Sequence, residues 1–208
     1  LKESAKYSET GVKESNSYII NYYKRPINVI NENLKEEINV SNRMYINIFA
    51  YGKIIYDLDG SLKTLQDTAL NYIDMPIKDL DSESLSIYNK ELWYELKNLK
   101  ALLSEESADF KINYYRLLDD IYFKYSRYEG ILRFQESKIY KILTDEKYRE
   151  KTHVFKIPDK KFIDLYIKCY EEDKPKAMFD NISRLLDYYY DKQGGFNIRY
   201  YYRKRTLY

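Results

Sequence analysis

At 208 residues, with Lys+Arg 35 against Asp+Glu 33 and a net charge of +2, the chain can build a core, and its charge demands no nucleic-acid or anionic-membrane partner. A single cysteine, Cys169, excludes an internal disulfide, and no apolar run approaches the length of a membrane span. Tyr 26 is the outlying count: with abundant Asn, Lys and Ile it points to an AT-rich genome, and it also supplies the contact area that aromatic binding surfaces use.

Residues 1–16 are polar and weakly patterned, and they read as a flexible tail. The chain opens on Leu1 rather than Met, so the absence of a leader or anchor carries no weight. Residues 18–23 are apolar, and Pro26 then opens a helix whose stripe is Ile27, Ile30, Leu34 and Ile38. Residues 42–59 are ambiguous. Met44, Ile48, Tyr51, Ile55 and Leu58 fit a helix, while β-branched and aromatic enrichment, Gly52 and the pair Asp59-Gly60 fit a hairpin over residues 45–59. The helix is preferred because its neighbours read helical. Ser61 is expected to cap the next helix, through Leu62, Leu65, Ala69 and Ile73, which Pro76 stops.

The strongest periodicity lies in the middle. Leu85, Tyr88, Leu92, Leu96, Leu99 and Leu103 form one stripe, with Trp93 beside it. Phe110, Tyr114, Leu117, Ile121, Tyr125, Tyr128, Leu132, Gln135, Ile139 and Ile142 form a second. Read as one helix over residues 107–144, the second would be on the order of 50 Å long. The short link at residues 104–107 folds the two back as an antiparallel hairpin. Beyond it, Asp159 caps a helix through Phe162, Leu165 and Cys169. Pro175 opens one through Phe179, Ile182, Leu185, Leu186 and Tyr189, and Gly194-Gly195 ends it.

Two local patterns resemble known families. The run Phe162-Ile-Asp-Leu-Tyr-Ile-Lys-Cys169 with Ala177-Met-Phe-Asp180 resembles one pentatricopeptide repeat, a family that stacks helical hairpins and reads RNA bases. No second copy is visible and one repeat makes no solenoid, so the segment reads as an amphipathic hairpin. Arg149 and His153 resemble the Arg…His pair of helical ribonucleases of the HEPN type. Only three residues separate them, where that family usually has at least four, and a polar helix end is the simpler reading.

Other chemistries lack their parts. Glu150-x-x-His153 is half of a di-iron bundle motif, and His153 is the only histidine. Asp57-x-Asp59-Gly60 departs from a calcium loop in its glycine, and position twelve is Thr68 rather than Glu. With Gly 6 in total there is no glycine-rich phosphate loop. Cys169 falls on an apolar helix face and reads as core. The C-terminal arm, residues 196–208, interleaves Tyr200, Tyr201 and Tyr202 with Arg203, Lys204 and Arg205. These six are the candidate partner-binding residues, suited to an acidic protein surface or single-stranded nucleic acid, or else they belong to a last strand.

The reading is therefore an all-α (mainly α) protein of five to seven helices. It is an elongated helical bundle over residues 17–195 around the central helix hairpin, with a minor β-hairpin as the variant. No catalytic residue, metal or cofactor is assigned. The expected function is a non-enzymatic protein-binding module, a surface or secreted protein of an AT-rich microbe that binds a host or partner protein. A nucleic-acid-associated subunit of an organelle or ribonucleoprotein and an extracytoplasmic sensor domain are the alternatives.

Overall fold

The computed structural model describes residues 8–39, 43–77, 80–134 and 136–196. Among them the chain is mainly helical, with nine helices and one two-stranded antiparallel sheet. It divides into two compact units, Leu1–Ile77 and Lys78–Tyr208, each with its own core. Residues 17–195, read as one bundle, thus hold two cores.

In the first unit, β1 (Glu9–Ser15) and β2 (Tyr18–Lys24) are joined by Asn16 and Ser17, both at positive φ (50° and 66°). Positive φ at both central residues is the I′ turn, whose twist matches the strands. Residues 9–15, read as tail, are therefore strand, and the hairpin lies here rather than over residues 45–59.

Three helices follow: α1 (Ile27–Glu37), α2 (Met44–Tyr51) and α3 (Ser61–Ile73). Each gives the core one i,i+4 pair: Ile30 and Leu34, Ile46 and Ala50, Leu65 and Ala69. The α2 stripe read from the sequence is corrected by this core. Met44 and Ile48 are exposed, Ile46 and Ala50 face inward, and the helix stops at Gly52, whose N–H bonds the Ile48 carbonyl. Ile55 and Leu58 lie beyond that stop and are exposed.

Helix ends in this unit are tied by charged side chains. Arg43 is buried and donates from Nη1 to the Tyr72 and Ile73 carbonyls and from Nη2 to that of Ile38, so it collects the orphan carbonyls at the ends of α3 and α1. Glu37 Oε2 accepts the Ile46 N–H at the start of α2. Asp57 accepts the N–H groups of Leu62 and Lys63, and Asp59 accepts that of Ser61. The two aspartates therefore cap α3, in the place expected of Ser61.

In the second unit, α4 (Ser82–Ser104) and α5 (Phe110–Tyr128) form the expected antiparallel pair. Lys124 reaches Glu91 at 3.0 Å, and Tyr88 lies beside Phe123. The single helix over residues 107–144 is corrected. Gly130 takes φ +62° and the Ile131 N–H returns to the Ser126 carbonyl, a left-handed glycine closure that ends α5. The chain resumes as α6 (Glu136–Thr144) and α7 (Glu146–Lys151), which raises the helix number above seven.

α8 (Lys160–Glu171) and α9 (Pro175–Asp191) complete the unit. Asp159 caps α8 through the Phe162 N–H, and Pro175 opens α9. Gly194 and Gly195, at φ +85° and +95°, stop α9, with the Gly195 N–H on the Tyr190 carbonyl. Phe110, Tyr114, Leu117, Ile121 and Tyr125 of α5 run through the core, against Leu92 and Leu99 of α4, Phe162, Tyr166 and Cys169 of α8, and Ile182, Leu186 and Tyr189 of α9.

Six tyrosines are structural here. Tyr114, Tyr122, Tyr125, Tyr166, Tyr189 and Tyr190 are buried in this one core. Tyr114 donates to the Cys169 carbonyl at 2.7 Å, and Tyr190 to that of Asn89 at 3.0 Å.

Candidate functional site

The surface that departs most from ordinary globular chemistry is the β1–β2 hairpin. All seven residues of β2 are exposed. Tyr18 and Ile19 are each 74% exposed, Tyr23 60% and, across the ladder, Val12 67%. Antiparallel pairing sets Glu9 opposite Lys24, Gly11 opposite Tyr22, Lys13 opposite Ile20 and Ser15 opposite Tyr18 on one face. The other face carries Thr10 with Tyr23, Val12 with Asn21, and Glu14 with Ile19. Tyr22 folds its ring across Gly11, where a Cβ would stand 2.6 Å from the ring, and donates its hydroxyl to Glu9 at 2.7 Å. That contact stiffens the hairpin from within and leaves its outer edges untouched.

The register fixes what those edges present. A two-residue turn closed by Ser15 and Tyr18 makes that pair the first to exchange backbone bonds. Alternation then turns the N–H and C=O groups of Ile19, Asn21 and Tyr23 outward along β2, and those of Thr10, Val12 and Glu14 outward along β1. Among the described residues no third strand pairs with either edge. Proteins guard such edges with charge, proline or bulges. β1 carries Lys13 and Glu14, but the outward positions of β2 hold Ile, Asn and Tyr, with no charge before Lys24 and Pro26 only beyond the strand.

Two shallow hollows lie elsewhere, both within the second unit. One, of about 240 Å³, is lined by Tyr94, Glu95, Asn98, Asn113 and Arg116. The other, of about 220 Å³, is lined by Ser82, Leu85, Ser86, Asn89, Gln193, Gly195 and Phe196. Both are smaller than the usual small-molecule site. Among the described residues Glu95 Oε2 and Asn89 Oδ1 find no hydrogen-bond partner, but both atoms are shielded from solvent, so neither is presented to a ligand.

The polar clusters of this unit hold the fold. Asp159 accepts the hydroxyls of Tyr125 (2.6 Å) and Tyr188 (2.9 Å) and the Phe162 N–H, and it meets Lys192 at 3.3 Å. Burial pushes its carboxyl up, but these hydrogen bonds outweigh burial and hold it down at about 2. Asp119 is moved the other way, to about 6, by burial first and then by Glu136 and Asp120, with Arg133 opposing. Cys169 is pushed up to about 12 by burial, so it is a thiol at neutral pH.

In comparisons with known proteins, no family model matches the chain, and no curated protein or solved structure matches it.

The candidate residues Tyr200, Tyr201, Tyr202, Arg203, Lys204 and Arg205 lie outside the described residues. Arg149 gives its Nη1 to the Ile142 and Leu143 carbonyls, closing the end of α6, and His153 follows α7 at φ +56°. Among the described residues no cluster of three or more His, Cys, Asp or Glu is placed to hold a metal ion, and no helix is long and apolar enough to cross a membrane. The hairpin was missed from sequence because residues 1–16 looked featureless. Its available signal was the polar pair Asn16-Ser17 between two seven-residue stretches.

Proposed function

We propose that the chain is a non-enzymatic protein-binding module that accepts an extended polypeptide strand along the outer edge of β2. The observation that carries this reading is the unguarded edge: outward backbone groups at Ile19, Asn21 and Tyr23, flanked on both faces by exposed apolar side chains. Strand addition draws affinity from main-chain hydrogen bonds and specificity from alternate side chains, and β2 offers both. The occupant is a strand with apolar residues on both faces and no charge at its centre. Its partner face would meet Ile19 and Tyr23 on one side and Tyr18, Ile20 and Tyr22 on the other. A two-stranded hairpin alone is marginally stable in water, so an added strand also stabilises the hairpin that receives it.

The test is selection of displayed random peptides, about six residues long to match a strand, on sparsely immobilised protein, followed by titration calorimetry. Selected sequences are expected to be rich in β-branched and aromatic residues on both faces. Their binding should vanish in Asn21→Pro, which deletes an outward N–H and leaves the β1–β2 ladder intact. No enrichment, or binding indifferent to Asn21→Pro, refutes the reading.

A further inference from the structure

Resting on the strand-addition reading, we infer that the strand seated on β2 is β2 of a second copy of this chain, paired antiparallel about a twofold axis at Asn21. The sequence of β2 read against its own reverse is complementary. With Asn21 opposite Asn21 of the copy, Ile19 falls opposite Tyr23 of the copy, and Tyr23 opposite Ile19. On the other face Ile20 falls opposite Tyr22, and Tyr22 opposite Ile20. Each of these is a β-branched residue against an aromatic ring, the pair type that stabilises antiparallel ladders. The central pair is amide against amide, able to hydrogen-bond to itself.

The backbone agrees with the side chains. Ile19, Asn21 and Tyr23 are the β2 residues whose N–H and C=O groups point outward, and a twofold centred on Asn21 sets those three against the same three. A twofold centred between two residues would oppose outward groups to inward ones, and one centred on Ile20 or Tyr22 would set Asn21 against Ile19 or Tyr23, so only Asn21 engages all three outward residues and keeps the β-branched–aromatic pairs. Charge agrees too: the outward positions of β2 carry none, so two copies meet without repulsion, whereas β1 against β1 would bring Glu14 and Lys13 to the junction. The interface is isologous, as most homodimers are. It yields a four-stranded sheet ordered β1-β2-β2-β1, past the three strands at which a sheet becomes independently stable. It also covers Ile19 and Tyr23, which a lone chain leaves in water.

Sedimentation velocity on the full chain over a concentration series tests this. The wild type is expected to pass from monomer to dimer. Ile19→Lys with Tyr23→Lys sets like charges opposite each other twice and should weaken association at least about tenfold, while leaving the second unit's unfolding, followed by Trp93 fluorescence, unchanged because both substitutions lie in the first unit. Ile19→Glu with Tyr23→Glu should do the same. An equimolar mixture of the two double variants should recover the dimer, because every opposed pair is then of opposite sign. In separate chains, Asn21→Cys should give a disulfide-linked dimer on mild oxidation, since facing Cα atoms there stand about 5.5 Å apart, and Val12→Cys on the β1 edge should not. Cys169 is buried and stays silent. A wild type monomeric throughout, a dimer that survives the lysine pair, or a mixture that fails to pair overturns the inference. Peptide capture by β2, lost in Asn21→Pro, would then still support strand addition with a different partner.

Discussion

Asp159→Ala removes the residue on which the second unit converges. Its carboxylate holds the first turn of α8 through the Phe162 N–H and takes hydroxyls from Tyr125 of α5 and Tyr188 of α9. Loss of the cap costs about 1 kcal/mol. The Tyr125 side chain is fully buried with its ring stacked on Phe162, so its hydroxyl loses its partner, at about 1–3 kcal/mol. Tyr188 is more open and loses little, and Lys192 keeps Glu129 at 3.2 Å. The sum is about 3 kcal/mol, a large share of the roughly 5–15 kcal/mol that a domain holds. Urea unfolding followed by Trp93 fluorescence, which reports on this unit alone, should show the midpoint falling with the slope unchanged. In a Tyr125→Phe background the same substitution should cost about 1–2 kcal/mol less, because no hydroxyl is stranded. A loss below about 1 kcal/mol, or an equal loss in both backgrounds, would show that Asp159 caps α8 and does not join the three helices.

Ile121→Asp places a carboxylate at a fully buried position in the α5 stripe and should unfold the second unit at ambient temperature; a wild-type melting curve would mean that the stripe does not face a core. Asp119 binds its proton more tightly folded (about 6) than unfolded (3.8), so its cost is absent below pH 3.8, grows between the two values and is complete above about 6. Asp119→Asn should therefore stabilise the protein at pH 7, by about 1 kcal/mol once solvent screening of this half-buried group is allowed for, and by almost nothing at pH 3.5, and a pH-independent effect would contradict the assignment. Gly130→Ala puts a side chain at φ +62°, where an L-residue pays roughly 1–2 kcal/mol, and the loss should appear in the second unit's unfolding midpoint.

Where the sequence carried periodicity, the fold was readable from it. The α4 and α5 stripes, the Asp159 cap, Pro175 at the start of α9 and the Gly194-Gly195 stop all follow from spacing and local backbone chemistry. What escaped depended on contacts distant in sequence or on weak local signals. Gly130 sits in an unbroken helical period, and only its left-handed φ, with Ile131 turning back to Ser126, ends the helix. Arg43 looks like a surface cation until α1 and α3 bring the ends of their carbonyl ladders to it. Asp57 and Asp59 resembled a metal loop because an N-terminal cap needs the same carboxylates. The hairpin is the most instructive miss. Its turn is Asn-Ser rather than the stronger Asn-Gly, and exposure on both faces removes the alternation by which strands are usually recognised. The property that concealed β2 in the sequence is the one that makes it the candidate binding edge.

The buried tyrosines of the second unit set a limit at the alkaline end. Tyr114, Tyr122, Tyr125, Tyr166, Tyr189 and Tyr190 each have their phenol raised above 10, with burial as the first cause. Folded, they keep their protons; unfolded, they release them near pH 10. Each withheld proton steepens the loss of stability by about 1.36 kcal/mol per pH unit, so six together give a slope of up to about 8 kcal/mol per pH unit above pH 10. A core of leucines would meet strong base almost indifferently. This one should hold through mild alkali and then fail within a fraction of a pH unit, the phenolate absorbance of these six rising in a single step with the loss of helix.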